Sequence, residues 1–138
     1  MFILWPMENN KQWAYLVLRF GVGINFFLHG LVRFTGNYEL FVKKVSDGFA
    51  DTIIPIALAS LIAWLIPVAE FILGLMLLLG LFTFEVLLSL GILMLVLISG
   101  MVLQQEWSTV SGQMVYLFII YLLLRDLQNN TLELKRTL

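Results

Sequence analysis

Arg19, Asn25, His29 and Arg33 are the first side chains in this chain to which chemistry can be assigned. They sit in the stretch RFGVGINFFLHGLVR, inside an otherwise apolar run. At 100° per residue they share one arc of roughly 120° on a helix, and Phe, Leu, Val, Ile and Gly cover the rest. A helix in lipid must turn its ionisable groups toward protein or a wet cavity, because hydrocarbon cannot solvate them. The spacing therefore predicts an inward polar spine. Glu70 interrupts a second apolar run, and Gln113 and Tyr116, three residues apart, share a face of the last one.

These residue types suit proton handling and hydrogen bonding. His29 and Tyr116 can donate to a ligand oxygen, and Glu70 and His29 can take up or release a proton. His29 and Glu70 are thus the candidate catalytic groups. Arg19, Asn25, His29, Glu70, Gln113 and Tyr116 are the candidate ligand-binding set. A structural role stands beside each of these readings. A buried ion pair can fix helix register without catalysing anything, and a membrane His can simply bond a neighbouring helix. Arg33 reads as a residue that snorkels to the interface.

The elements that position these groups follow from composition. Of 138 residues, 61% are hydrophobic and 12% charged, about half the charge of a soluble domain. A single all-α integral membrane domain is expected, an antiparallel bundle of four spans at 13–32, 53–81, 86–103 and 107–124. Pro67 falls in mid-span, where it should bend the second helix and free the carbonyl of Ala63. Thr83 is placed to cap the third span, and Ser108 or Thr109 the fourth. The one long connection carries Tyr38, Phe41, Val42, Val45 and Phe49 at helical spacing. It reads as an amphipathic helix over 38–50, either lying on the membrane surface or closing the bundle mouth. The tail from Asp126 reads as a short helical extension that frays.

Depth along the spans suggests which polar groups meet. Arg19 lies about 9 Å past Trp13, and Glu70 about 13 Å before Leu79 on the antiparallel second helix. That arithmetic pairs Arg19 with Glu70, with Ser89 at the same level. His29, Gln113, Tyr116 and Gln104 form a second, neutral layer, and Asn25 lies between the two.

The absence of cysteine removes thiol redox chemistry and thiolate metal sites, and the lone His excludes a bis-His haem within one subunit. No metal site and no encoded cofactor are expected. With no basic patch, nucleic acid is not a partner. The lipid bilayer is, and so is a protein partner or a second copy. The run after Lys11 is too long for a cleavable signal, and Met7 is an alternative start. The charge distribution leans toward both termini in the cytoplasm, in a bacterial inner membrane.

Several short motifs occur in a characteristic order: Arg19, His29-Gly30-x-x-Arg33, Thr52-Ile53-Ile54-Pro55, Pro67-x-x-Glu70-x-x-x-Gly74, and LLLGLFT over Leu77–Thr83. In this the chain resembles the DoxX-like family of small four-helix membrane proteins, from Arg19 to Leu124. Arg33 stands where that family often has Lys. The resemblance implies a four-helix bundle with the first-helix Arg and second-helix Glu inside it. The functions it implies are diverse. Some members are subunits of thiosulfate:quinone oxidoreductase, and others serve oxidative-stress complexes or the maturation of periplasmic enzymes. Distant eukaryotic relatives assist membrane-protein assembly. Two expectations follow: a redox-associated membrane subunit that contacts quinone or a lipid-like ligand, or a non-catalytic assembly or maturation factor. As an enzyme it would act only as the membrane subunit of a quinone-linked oxidoreductase. A small transporter is a third reading, weakened because no inverted repeat is visible.

Overall fold

The computed structural model describes residues 9–133. Helix α1 spans Asn10–Thr35, α2 Tyr38–Asp47, α3 Ile56–Leu79, α4 Thr83–Leu103 and α5 Trp107–Arg125, and a 3-10 turn follows at Leu127–Asn129. Among the described residues, α1, α3, α4 and α5 are long and apolar enough to cross a membrane. The all-helical, four-span reading stands. The possible start at Met7 lies outside the described residues.

The helix ends differ in detail from the sequence expectation. Asn9 caps α1 by accepting from the Gln12 backbone N–H, and Asn37 caps α2 through Leu40. Thr83 does not cap α4. Phe82 holds that position in a left-handed conformation, at φ 47°, and Thr83 is the first helical residue, fully buried. Nor does Ser108 or Thr109 cap α5, which begins at Trp107 after Glu106. The α3–α4 hairpin turns through Gly80 at φ 67°, where a residue without Cβ is favoured.

Helix α1 lies tightly along α3, and glycines make this possible. A Cβ on Gly30 would sit 2.6 Å from the Phe71 nitrogen and the Pro67 carbonyl oxygen. One on Gly74 would sit 2.3 Å from the Phe27 nitrogen, and one on Gly23 would sit 2.9 Å from the Leu78 side chain and 3.3 Å from the Gly74 carbonyl oxygen. Close backbone approach without intervening side chains is how helices associate where no hydrophobic force separates protein from lipid. These three contacts also fix the register: Gly30 beside Phe71, Phe27 beside Gly74, Gly23 beside Leu78.

The second close pair is α4 on α5. The two pairs meet at one end only. Core residues Tyr15, Val22, Phe26, Leu77, Val86, Leu87, Leu90, Met94, Ile120 and Leu123 all lie toward the α3–α4 hairpin. Beyond Met94, α4 buries nothing further, and α5 buries only Ile120 and Leu123 near its C-terminal end. The bundle is packed at one end and open at the other.

Helix α2 lies across the open end. Its Val42 and Ser46 are buried, Phe41 and Val45 face a cavity, and Lys43, Lys44 and Asp47 are exposed. It ends at Asp47 and continues as turns, with Phe49 against Gly100 of α4 and Gly48 against Gln104. Of the two roles left open by the sequence, covering the bundle mouth is directly visible. The apolar contacts beneath α2 and the charges above it also suit a membrane surface.

Candidate functional site: a cavity between two helix pairs

The open half holds a cavity of about 780 Å³ that is itself open on one side. That lies within the range of small-molecule sites, roughly 300–1,000 Å³. Most of its wall is apolar, from Ile62, Ile66, Ile92, Leu95 and similar side chains, with Phe41 and Val45 of α2 beneath the mouth. The polar groups are few and face one another. Asn25, His29 and Arg33 recur every fourth residue on α1, so they form one stripe along it. Glu70 projects from α3, and Gln113 and Tyr116 from α5. Of the six sequence-derived binding candidates, the cavity gathers five. The exception is Arg19.

Arg19 does not meet Glu70. Its guanidinium, 1% exposed, donates to Asn130 Oδ1 at 2.6 Å and to the Leu132 carbonyl at 2.5 Å. Asn130 Nδ2 in turn donates to Thr83 Oγ1 at 3.1 Å. Residues 126–133 are therefore tied across the packed end of the bundle, and the rest of the tail expected to fray lies outside the described residues. Buried Thr83 and Gly80 make this possible, since the Arg19 guanidinium passes beside Gly80, about 3.2 Å from where a Cβ would stand. Ser89, expected near this layer, is exposed and bonds the Glu85 carbonyl of its own helix.

The depth arithmetic failed for a definable reason. It assumed that Trp13 and Leu79 lie at one surface. In the observed register Leu79 falls beside Val22, so Trp13 lies nine residues, about 13 Å, beyond the end of α3. Glu70 falls beside Leu31, and Arg19 is some 18 Å further along.

Glu70, 3% exposed, instead forms an ion pair with Arg33. Arg33 is thus not a free snorkelling residue. Its guanidinium also stands 4.4 Å from the Phe41 ring centroid, which joins the pair to α2. Tyr38 of α2 donates to the Trp64 carbonyl, and its ring meets Trp64 edge-on at 4.5 Å. Burial raises the pKa of this phenol, opposed by Arg33, so the donor stays protonated. With Phe34 of α1 against the Tyr38 ring at 5.6 Å, three aromatic contacts and one carbonyl bond hold the mouth-covering helix.

Deeper in, Asn25 Nδ2 donates to Tyr116 Oη at 2.9 Å. Tyr116 accepts there, so its own hydroxyl proton remains available to a ligand. Asn25 Oδ1 and Gln113 Oε1 are buried without a partner. Such groups are costly unless something else completes them. His29 forms no hydrogen bond among the described residues; it lines the cavity and is exposed. The site thus offers a donor at Tyr116, a titratable ring at His29 and acceptors at Asn25 and Gln113, around an apolar void. Gln104, expected in this layer, packs against Gly48 instead.

Sequence reasoning left two groups beside this cavity, Arg33 and Phe41, out of its candidate set. Arg33 carried a signal in its four-residue spacing from His29 and Asn25. Phe41 carried none beyond the apolar stripe of α2. No group of three or more metal-ligating side chains occurs among the described residues.

A four-span bundle with a lateral helix and an intrabundle polar cavity is a multi-pass integral membrane protein. Its exposed faces, including Val17, Leu61, Leu88 and Val115, are apolar and suit contact with lipid. The DoxX family model matches residues 14–103, and the chain belongs to that family. No curated protein and no solved structure matches it.

Proposed function

We propose that this DoxX protein is the membrane-embedded, ligand-holding subunit of a redox system, and that its ligand is a quinone or a similarly built lipid-like molecule. The cavity of about 780 Å³ supports this reading, because it places a few inward polar groups around an otherwise apolar space. A quinone ring needs an apolar slot and a donor for each carbonyl oxygen. In this reading Tyr116 and His29 donate, and the unpartnered oxygens of Asn25 and Gln113 suit the hydroxyls of the reduced form. Quinone chemistry, when such a ligand is bound, is two-electron and two-proton exchange. The chain contributes the ring's orientation, exclusion of bulk water under α2, and proton-holding groups at His29 and Glu70. The electrons come from a partner protein. The inner bacterial membrane, with both termini in the cytoplasm, is the setting this reading takes.

The test is to purify the protein in native-lipid discs and extract the bound quinone, then repeat with His29→Ala. Co-purifying quinone that falls in the variant supports the reading. Absence of quinone, together with no rise in melting temperature on adding it, overturns it. A stable membrane or periplasmic partner whose docking ignores His29 would then favour the assembly-factor alternative.

A further inference from the structure

A second apolar space, of about 620 Å³, lies on the outer side of α1, between it and α5. Its wall runs from Trp13 through Val17 and Gly21 to Asn25 on α1, with Tyr116 and Ile119 from α5. Asn25 and Tyr116 line both spaces. The groove and the cavity are therefore neighbours across one thin partition. That partition is the 2.9 Å hydrogen bond between the two side chains, with the Tyr116 ring edge-on to Phe26 at 6.0 Å.

Three features distinguish the groove from an ordinary gap between helices. Apart from the partition itself, its wall is apolar, so it suits a hydrocarbon and not a head group. It is open: a Cβ built on Gly21 meets nothing within 4 Å, and Val17 is 69% exposed. It is also long, since Trp13 to Asn25 covers about 18 Å of helix. A ring held in the cavity needs no such length, but a prenyl or acyl chain attached to that ring does. The partition is also incompletely bonded, because Asn25 Oδ1 is buried with no donor. Rotation of the Asn25 amide breaks one bond and leaves the aromatic packing in place.

We propose that the groove between α1 and α5 is the tail channel of the cavity. The head of an amphiphile lies among His29, Gln113 and Tyr116, and its chain passes the Asn25–Tyr116 partition and leaves along Gly21 and Val17 toward Trp13. The ligand class is an amphiphile with a hydrogen-bonding ring and a long unbranched or prenyl tail. This rests on the ligand-holding reading of the cavity and adds the tail's path and the route of entry from the bilayer.

The test uses the full chain in lipid nanodiscs and two benzoquinone probes, one with a decyl tail and one without a tail. Binding is read from quenching of tryptophan fluorescence, and the measured quantity is the ratio of the two Kd values. Wild type should bind the tailed probe about tenfold more tightly or better beyond its partitioning into protein-free discs, since burying even two methylenes supplies that factor. Gly21→Phe, and independently Val17→Trp, should bring the ratio close to that of partitioning alone. Two variants are used because either could disturb the fold, and circular dichroism reports whether each has. A ratio unchanged in both folded variants overturns the tail channel while leaving the cavity reading intact. The same follows if the wild-type ratio equals that of partitioning alone, which means bilayer lipid simply fills the groove. Failure of wild type to bind either probe overturns both.

Discussion

Removing Arg33 should destabilise this protein more than removing Glu70, although the two form a single ion pair. Glu70 is 3% exposed and the Arg33 side chain 27% exposed, so the carboxylate has no other partner and the guanidinium has a path toward the interface. Breaking a fully buried pair costs about 3–5 kcal/mol, and exposed pairs contribute about 0–1. The partial exposure of Arg33 places Arg33→Met between them, at about 2–3 kcal/mol. Glu70→Gln keeps an oxygen for the guanidinium to bond and should cost about 1 kcal/mol. A double-mutant cycle between Arg33→Met and Glu70→Gln should give a coupling of about 1–2 kcal/mol. The matching cycle between Arg19→Met and Glu70→Gln should give less than about 0.5 kcal/mol, because groups so far apart act independently. Reversible unfolding in mixed detergent micelles, followed by circular dichroism at neutral pH, measures all of these. A larger Arg19–Glu70 coupling, or Glu70→Gln costing more than Arg33→Met, would refute the register on which the site is built.

Glycine positions give a matched pair of stability tests. Gly30→Ala forces a methyl to 2.6 Å from two backbone atoms of α3 and should cost about 2 kcal/mol or more, whereas Gly112→Ala meets nothing and should be neutral or stabilising by up to ~1 kcal/mol. Gly112 lines the cavity and has open space around an added Cβ, so Gly112→Phe should lower quinone retention sharply while circular dichroism stays that of a folded protein. Asn130→Ala removes both the acceptor for Arg19 and the donor to Thr83, together worth about 2 kcal/mol, so amide exchange over 126–133 should quicken by tenfold or more. Unchanged exchange there would mean that the Leu132 carbonyl alone holds the segment.

The amino-acid sequence by itself determined the class of this molecule. Long apolar runs in a chain with few charges leave no arrangement but membrane-spanning helices, because only internal hydrogen bonding satisfies a backbone in lipid. It also set Asn25, His29 and Arg33 along one stripe of α1 and marked Glu70 as a group that protein must bury, since both follow from the solvation of each side chain and the angular period of a helix. What faces what was not legible, because the pairing of two helices depends on their axial offset. That offset is set by where backbones can touch, at Gly23, Gly30 and Gly74, and nothing in the distance of Arg19 from its own helix end encodes it. Three contacts thus moved Glu70 from Arg19 to Arg33 and sent Arg19 to the segment after α5. The cavity, too, belongs to tertiary structure alone: it exists because the α1–α3 and α4–α5 pairs pack at the hairpin end and diverge beyond Met94, a difference no single helix carries.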